Sequence, residues 1–249
     1  VSLSGLGDTG AAQPLPALFP APEPDASAPE PARRRSGVTR PGSGVPSSGP
    51  SPTDEAGRQL VFFGAEAAEP TVADLAGLLA GPGEVVRMGG TARLSVQVDA
   101  AWRVHVLVAE LALRGLAASW EPTGDARHAV RTSYTRVLKP LAVAWLHGTA
   151  KRPPATFHLT GRRLRLWLAA AGTPEPPAGF LLRLGEGDQE SWEPVGRALA
   201  AAGLAGTLLG PDEGGPGYRI TGRRRLARLA ELVGGPPRAA PAEAWPTRP

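Results

Sequence analysis

The sequence predicts an α+β fold of two pseudo-symmetric αββαββα repeats that together shape a saddle, preceded by a disordered N-terminal arm. Three observations predict it. Helical runs closed by glycine alternate with strand pairs, the same order of elements occurs twice, and the composition changes near residue 68.

The 249 residues include 32 glycines and 28 prolines, at the margin of low-complexity composition. Pro, Ala, Ser and Gly crowd the stretch from Gln13 to Pro52. Such a chain buries too little apolar surface to offset its ordering entropy, so residues 1–67 are expected to be a disordered arm. Val61-Phe62-Phe63 is its first strongly apolar group.

Cysteine is absent, which excludes disulfides, thiolate zinc sites and a cysteine nucleophile, and fits a cytoplasmic setting. The net charge is +4, and the basic side is almost all arginine; only Lys139 and Lys151 are lysines. Arginine suits planar phosphate contacts, so the charge permits a nucleic-acid partner without demanding one. No run of ~18 apolar residues suggests a membrane span, and no basic segment followed by an apolar one suggests a signal peptide.

The first repeat is placed at 68–148. Thr71 with Asp74 is a Thr-x-x-Asp start, and the run stops at Gly81 to Gly83. Gly89-Gly90 turns a hairpin between strands 84–88 and 93–98. A helix over 100–114 carries Val104, Leu107, Val108 and Leu111 on one face and ends at Gly115. Strands 116–121 and 128–136 flank Pro122-Thr123-Gly124-Asp125, and Pro140 opens a helix ended by Gly148.

A linker, 149–159, leads to the second repeat at 160–235. Helices over 161–171, 192–202 and 222–233 end at Gly172, Gly203 and Gly234, with strands 179–185, 204–209 and 218–220 between them. Leu111 to Ala117 (LALRGLA) aligns with Leu199 to Ala205 (LAAAGLA), which sets the register of the repeat. A loose tail is expected over 236–249.

The stretch from Leu75 to Gly83 reads LAGLLAGPG. It resembles the LAGLIDADG signature of homing endonucleases and their relatives, matching its first four letters and final glycine, with Leu for Ile. The second signature position is Leu164 to Gly172, LRLWLAAAG. The resemblance implies that these two helices pack at the centre, with two curved sheets forming a saddle over the DNA major groove. The cadence from Trp167 through Gly172-Thr173-Pro174-Glu175-Pro176, Phe180 to Leu184 and on to Gly203-Leu204 is similar to the WhiA-type regulators of Gram-positive bacteria, a non-cutting branch. Their C-terminal helix-turn-helix domain is not expected in the residues after Gly234.

Active members of that family hold divalent metal with one acid at the end of each signature helix. Here Ala80 and Pro82 stand at the first pair of aspartate positions, and Ala169 and Ala171 at the second. No catalytic residue, cofactor or metal ligand is therefore expected. Glu84 and Glu175 are the nearest acids, and a displaced acid pair is the remaining route to an endonuclease. His105, His128, His147 and His158 lack metal-ligand spacing. The expected partner is double-stranded DNA or a DNA-bound regulator, with the chain a monomer having an internal pseudo-two-fold. Candidate DNA contacts are Arg87, Arg93, Arg127, Arg131, Lys151, Arg152, Arg183 and Arg219, with Arg127, Ala129 and Arg131 sharing one strand face. The competing reading is a protein-interaction module on the same fold. The tryptophans Trp102, Trp120, Trp145, Trp167 and Trp192 are expected as core anchors.

Overall fold

A 3-10 turn at Val72–Leu75 runs straight into a short helix, α1 (Ala76–Ala80), at the head of the first repeat. The computed structural model describes residues 69–247. By its contacts the chain divides into Val1–Gly49, outside the described residues, and Pro50–Pro249, which contains all of them. The arm expected over 1–67 likewise lies outside the described residues. At the start of the 3-10 turn, Thr71 N donates to Asp74 Oδ2 at 2.8 Å, as the Thr-x-x-Asp pattern requires.

After α1 come β1 (Glu84–Met88), β2 (Thr91–Val98), α2 (Ala101–Ala112), β3 (Ala118–Thr123), β4 (Arg127–Thr132) and α3 (Lys139–Trp145). A two-residue ladder, β5 (Leu146–His147) with β6 (Ala150–Lys151), bridges to the second repeat. There α4 (Gly161–Ala171) is followed by β7 (Gly172–Glu175), β8 (Gly179–Arg183), α5 (Gln189–Ala201), β9 (Thr207–Leu209), β10 (Gly217–Thr221) and α6 (Arg223–Val233). The first sheet is ordered β1-β2-β4-β3 and the second β7-β8-β10-β9, both antiparallel. The same order in both makes the pseudo-symmetry a fact of topology.

The aligned leucines occupy equivalent places. Leu116 N donates to Leu111 O at 3.0 Å, and Leu204 N to Leu199 O at 2.9 Å. Both pairs are buried, so each repeat closes its second helix with one hydrogen-bonded turn over an apolar contact. Gly115 and Gly203 supply the positive φ, +70° and +80°, which that turn requires.

The core lies between the helices and one face of each sheet. From β2 it takes Ala92, Leu94, Val96 and Val98; from β8 and β10 it takes Phe180, Leu182, Tyr218 and Ile220. The two signature helices meet at its centre. Gly77 rests on the Arg163 backbone so closely that a Cβ would overlap the Arg163 carbonyl, and a Cβ on Gly81 would clash with the Trp167 indole. Trp145 and Trp167 anchor the core, and Trp102 and Trp192 are half-buried at its edge. Trp120 departs from expectation. It is 53% exposed on the edge strand β3, its ring 5.7 Å from His128.

Further segments differ from the sequence reading; the strand expected over 128–136 ends at Thr132 as β4, and a 3-10 turn occupies Arg136–Leu138. Strand β7 was not foreseen, because Pro174 interrupts any strand pattern; an edge position needs no donor on its outer side and tolerates it. Helix α5 starts at Gln189, before the expected Ser191 cap, and Ser191 Oγ instead donates to Lys151 O at 2.5 Å. The segment after Gly235, expected to be loose, is docked on the repeat through Trp245. Trp245 is 3% exposed, donates Nε1–H to Gly234 O at 2.9 Å and stacks under Arg165. No helix among the described residues is long and apolar enough to cross a membrane.

Candidate nucleic-acid interface

Strand alternation sorts the candidate arginines by face. In β2, Ala92, Leu94, Val96 and Val98 point to the core, so Thr91, Arg93, Ser95 and Gln97 form the open face. The register puts Ser95 opposite Arg131, and Gln97 opposite Ala129. Arg127, Ala129 and Arg131 therefore share the open face with Arg93, as expected from β4 alone. In the second sheet, Phe180 and Leu182 face the core, and Arg183 and Arg219 take the open face.

The two open faces meet in one cleft of about 500 Å³. Ser95, Gln97, Arg127 and Arg131 line it from the first repeat, and Thr173 and Arg183 from the second. Between them, the ends of the central helices contribute Pro82, Ala170 and Ala171. Thus five of the candidate arginines lie on two surfaces that converge over the helix ends.

Two of the five are already held by acids of the same faces. Arg131 pairs with Glu121 across β3 and β4. Arg219 clamps Glu175 in a bidentate contact, Nε to Oε2 at 2.7 Å and Nη2 to Oε1 at 3.0 Å. This hydrogen bonding holds the Glu175 carboxyl below its usual range, even though partial burial works against it. Arg93 lies over the Tyr134 ring at 4.9 Å, and Arg183 donates to Gly214 O at 3.1 Å. Arg127 is exposed at the start of β4.

Three candidates do not belong to this surface. Arg87 pairs with Ala92 and follows Val85 by two residues, so it sits on the helix side of β1. Arg152 is exposed beside Pro153, Pro154 and α5, away from the cleft. Lys151 is buried; its Nζ donates to Gly81 O at 2.9 Å and Gly83 O at 2.6 Å, and pairs with Asp188 at 2.5 Å. Burial pushes its ammonium below the ordinary range, and Asp188 pulls it back.

The second signature helix has a matching cation. Arg103, on α2, donates to Leu168 O at 3.1 Å, Ala169 O at 3.0 Å and Gly172 O at 2.6 Å. Asp99 holds its other edge at 2.8 Å. Each helix end therefore presents its carbonyls to a buried cation, and each cation leans on an aspartate just ahead of α2 or α5. Sequence reasoning placed Lys151 on the DNA surface and missed Arg103, and also Ser95 and Gln97. Asp99 four residues before Arg103 on an apolar helix face was the signal for the first; extending the alternation from Arg93 reaches the other two.

A divalent metal of the kind the family resemblance implies does not fit the helix ends. Pro82 and Ala171 line the cleft without a side-chain oxygen, and the carbonyls behind them are bound to Lys151 and Arg103. Among the described residues no three or more of His, Asp and Glu gather as a metal site. Glu84 lines the cleft, but Glu175 does not and is committed to Arg219.

No protein-family model matches the chain, and no curated protein matches it. Solved structures do. The homing endonuclease I-WcaI, in a complex described as bound to its DNA recognition sequence, is similar with a TM-score of 0.51 at 12% identity, over 74% of this chain and 89% of that one. Mesophilic variants of the homing endonuclease I-DmoI give a TM-score of 0.37 at 16% identity, over 65% and 93% of the two chains. The first likeness, together with the topology above, shows an α+β fold like that of the LAGLIDADG homing endonucleases, two four-stranded antiparallel sheets flanked by helices.

Proposed function

We propose that this protein binds double-stranded DNA across its two open sheet faces and does not cut it, acting in the manner of a transcription regulator. The observation that carries this reading is the convergence of Arg93, Arg127, Arg131, Arg183 and Arg219 on the open faces, above helix ends whose lining side chains are Pro82 and Ala171. Arginines on a curved sheet surface supply phosphate contacts and can reach guanine edges in the major groove. Glu121 and Glu175 keep two of them oriented before DNA arrives.

A long duplex titrated at two salt concentrations tests the reading. Binding at low salt that weakens linearly in log salt supports it. Absence of a shift at low salt rejects DNA binding. Strand cleavage on adding Mg²⁺ rejects the non-cutting part and returns attention to Glu84.

One observation favours a protein partner on the same surface. Val86 and Met88, 43% and 59% exposed, stand on the open face at the outer edge of the first sheet. Two apolar side chains on an unpaired strand edge suit β-strand addition by another chain.

A further inference from the structure

Another groove, of about 370 Å³, shares no residue with the cleft between the sheets. Val72 and Ala76 line it from the head of the first repeat, Val137, Leu141 and Ala144 from α3 and the turn before it, and Phe157 from the linker. Apart from Thr156 and Arg163, every lining residue is apolar. Val137 is 53% exposed, and Ala144 is exposed as well. Apolar side chains gathered along an open groove mark a surface that another apolar segment covers. Arg163 adds one polar demand. Its Nη1 donates to His158 O at 2.7 Å, but its Nε is buried without a hydrogen-bond partner. Asp74, the acid whose charge reaches it, is already bonded to Arg114 and to Thr71 N. The groove therefore suits an apolar occupant that also carries a carboxylate.

The chain supplies such an occupant. Leu60-Val61-Phe62-Phe63 is a run of four large apolar residues shortly before Glu69, where the described residues begin, and Glu66 follows it closely. Val72, which lines the groove, comes soon after in the chain. The extended stretch from Phe63 to Val72 spans up to about 30 Å, so the segment has the reach. A tether this short holds its end at an effective concentration on the order of millimolar, enough to fill a groove too weak to capture a free peptide. We propose that the groove is the docking site of this chain's own Leu60-Val61-Phe62-Phe63 segment, with the two phenylalanine rings covering its apolar walls and Glu66 pairing with Arg163. Because groove and cleft share no residue, docking there leaves the open sheet faces free.

Photo-cross-linking in the full chain, without nucleic acid, tests this separately from DNA binding. Phe62 is replaced by the photoreactive p-benzoylphenylalanine, and the products are sized on a denaturing gel and mapped by mass spectrometry. The expected product is a cross-link within one chain, from position 62 to peptides covering residues 137–145 or 154–163, which line the groove. Cross-linked dimers would assign the groove to a second copy and overturn the proposal, as would cross-links confined to other peptides or none at all. Ala144→Arg, a charge placed at an exposed position of the groove, should cut the intramolecular yield about tenfold or more. An unchanged yield overturns the proposal. Val137→Asp takes its place if Ala144→Arg loses the native circular dichroism. Glu66→Gln should lower the yield about twofold to fivefold; no change there overturns the pairing with Arg163. Stability gives an independent readout. Phe62→Ser with Phe63→Ser should lower the Tm by about 2–6 °C in the unchanged chain, and by less than about 1 °C when Ala144→Arg is also present. Equal losses in the two backgrounds overturn the docking.

Discussion

Gly77 and the backbone of Arg163 are in direct contact, with no space between them for a single methyl group. This contact sets the distance between the two central helices. It gives Gly77 in the LAGLLAGPG stretch a packing reason to be glycine. Backbone approach between α1 and α4 depends on the absence of a Cβ at this position.

Gly77→Ala should therefore separate the helices and cost about 1–3 kcal/mol by overpacking. Urea unfolding is the measurement: the midpoint should fall with the slope unchanged. An unchanged midpoint would show that the helices part freely and that the seam is not a close-packed contact.

Arg103 ties the first repeat to the second. Its guanidinium satisfies three carbonyls at the end of α4, all in a buried setting. Arg103→Met leaves those oxygens without donors and should cost about 3–5 kcal/mol. Arg103→Lys should restore only part, because a compact ammonium cannot match the planar fork that spans Leu168, Ala169 and Gly172. Full stability in Arg103→Met would mean that water replaces the guanidinium at no cost.

Both helix-end cations illustrate what the sequence hides. The order of helices and strands was readable because periodicity and glycine stops are local, and the leucines at 111 and 199 marked the repeat. Lys151 was not readable. Beside Arg152 and two prolines it has the look of a solvated linker charge, and its partners Gly81, Gly83 and Asp188 are tens of residues away in the chain. Arg87 failed for a different reason. Flanking a hairpin says nothing of face, and a single step of alternation from Val85 separates it from Arg93. The candidate surface was thus legible where one strand carried several arginines, as β4 does, and illegible where tertiary contacts decide burial.

The Glu175–Arg219 clamp gives a pH signature. Its carboxyl is held below the ordinary range, so folding favours the ionised form. The stabilisation is fully present above the unfolded glutamate value, about 4.3, and is lost as pH falls through the lower folded-state value. Comparing thermal unfolding of the unchanged chain and Glu175→Gln across pH 7 to pH 3 should show a Tm gap that is constant above about pH 5 and closes below pH 4. A gap that persists at pH 3 would assign the effect to packing rather than charge.

The open-face assignment makes opposite predictions for arginines that sequence reading grouped together. Arg127 is exposed on the open face and lines the cleft between the repeats, whereas Arg87 and Arg152 lie off that surface. If DNA follows the two sheets, Arg127→Ala removes one phosphate or base-edge contact. It should weaken binding about fivefold to a hundredfold, and lower the slope of log affinity against log salt by about 1 if the contact is to phosphate. Arg87→Ala and Arg152→Ala carry the same change in net charge and should leave both quantities nearly unchanged. Arg219→Ala should fall between them in effect, because Glu175 already neutralises part of its charge. Fluorescence anisotropy with one duplex at several salt concentrations measures all four. Equal losses for Arg127, Arg87 and Arg152 would show that only net charge matters and would remove the sheet faces from the binding model.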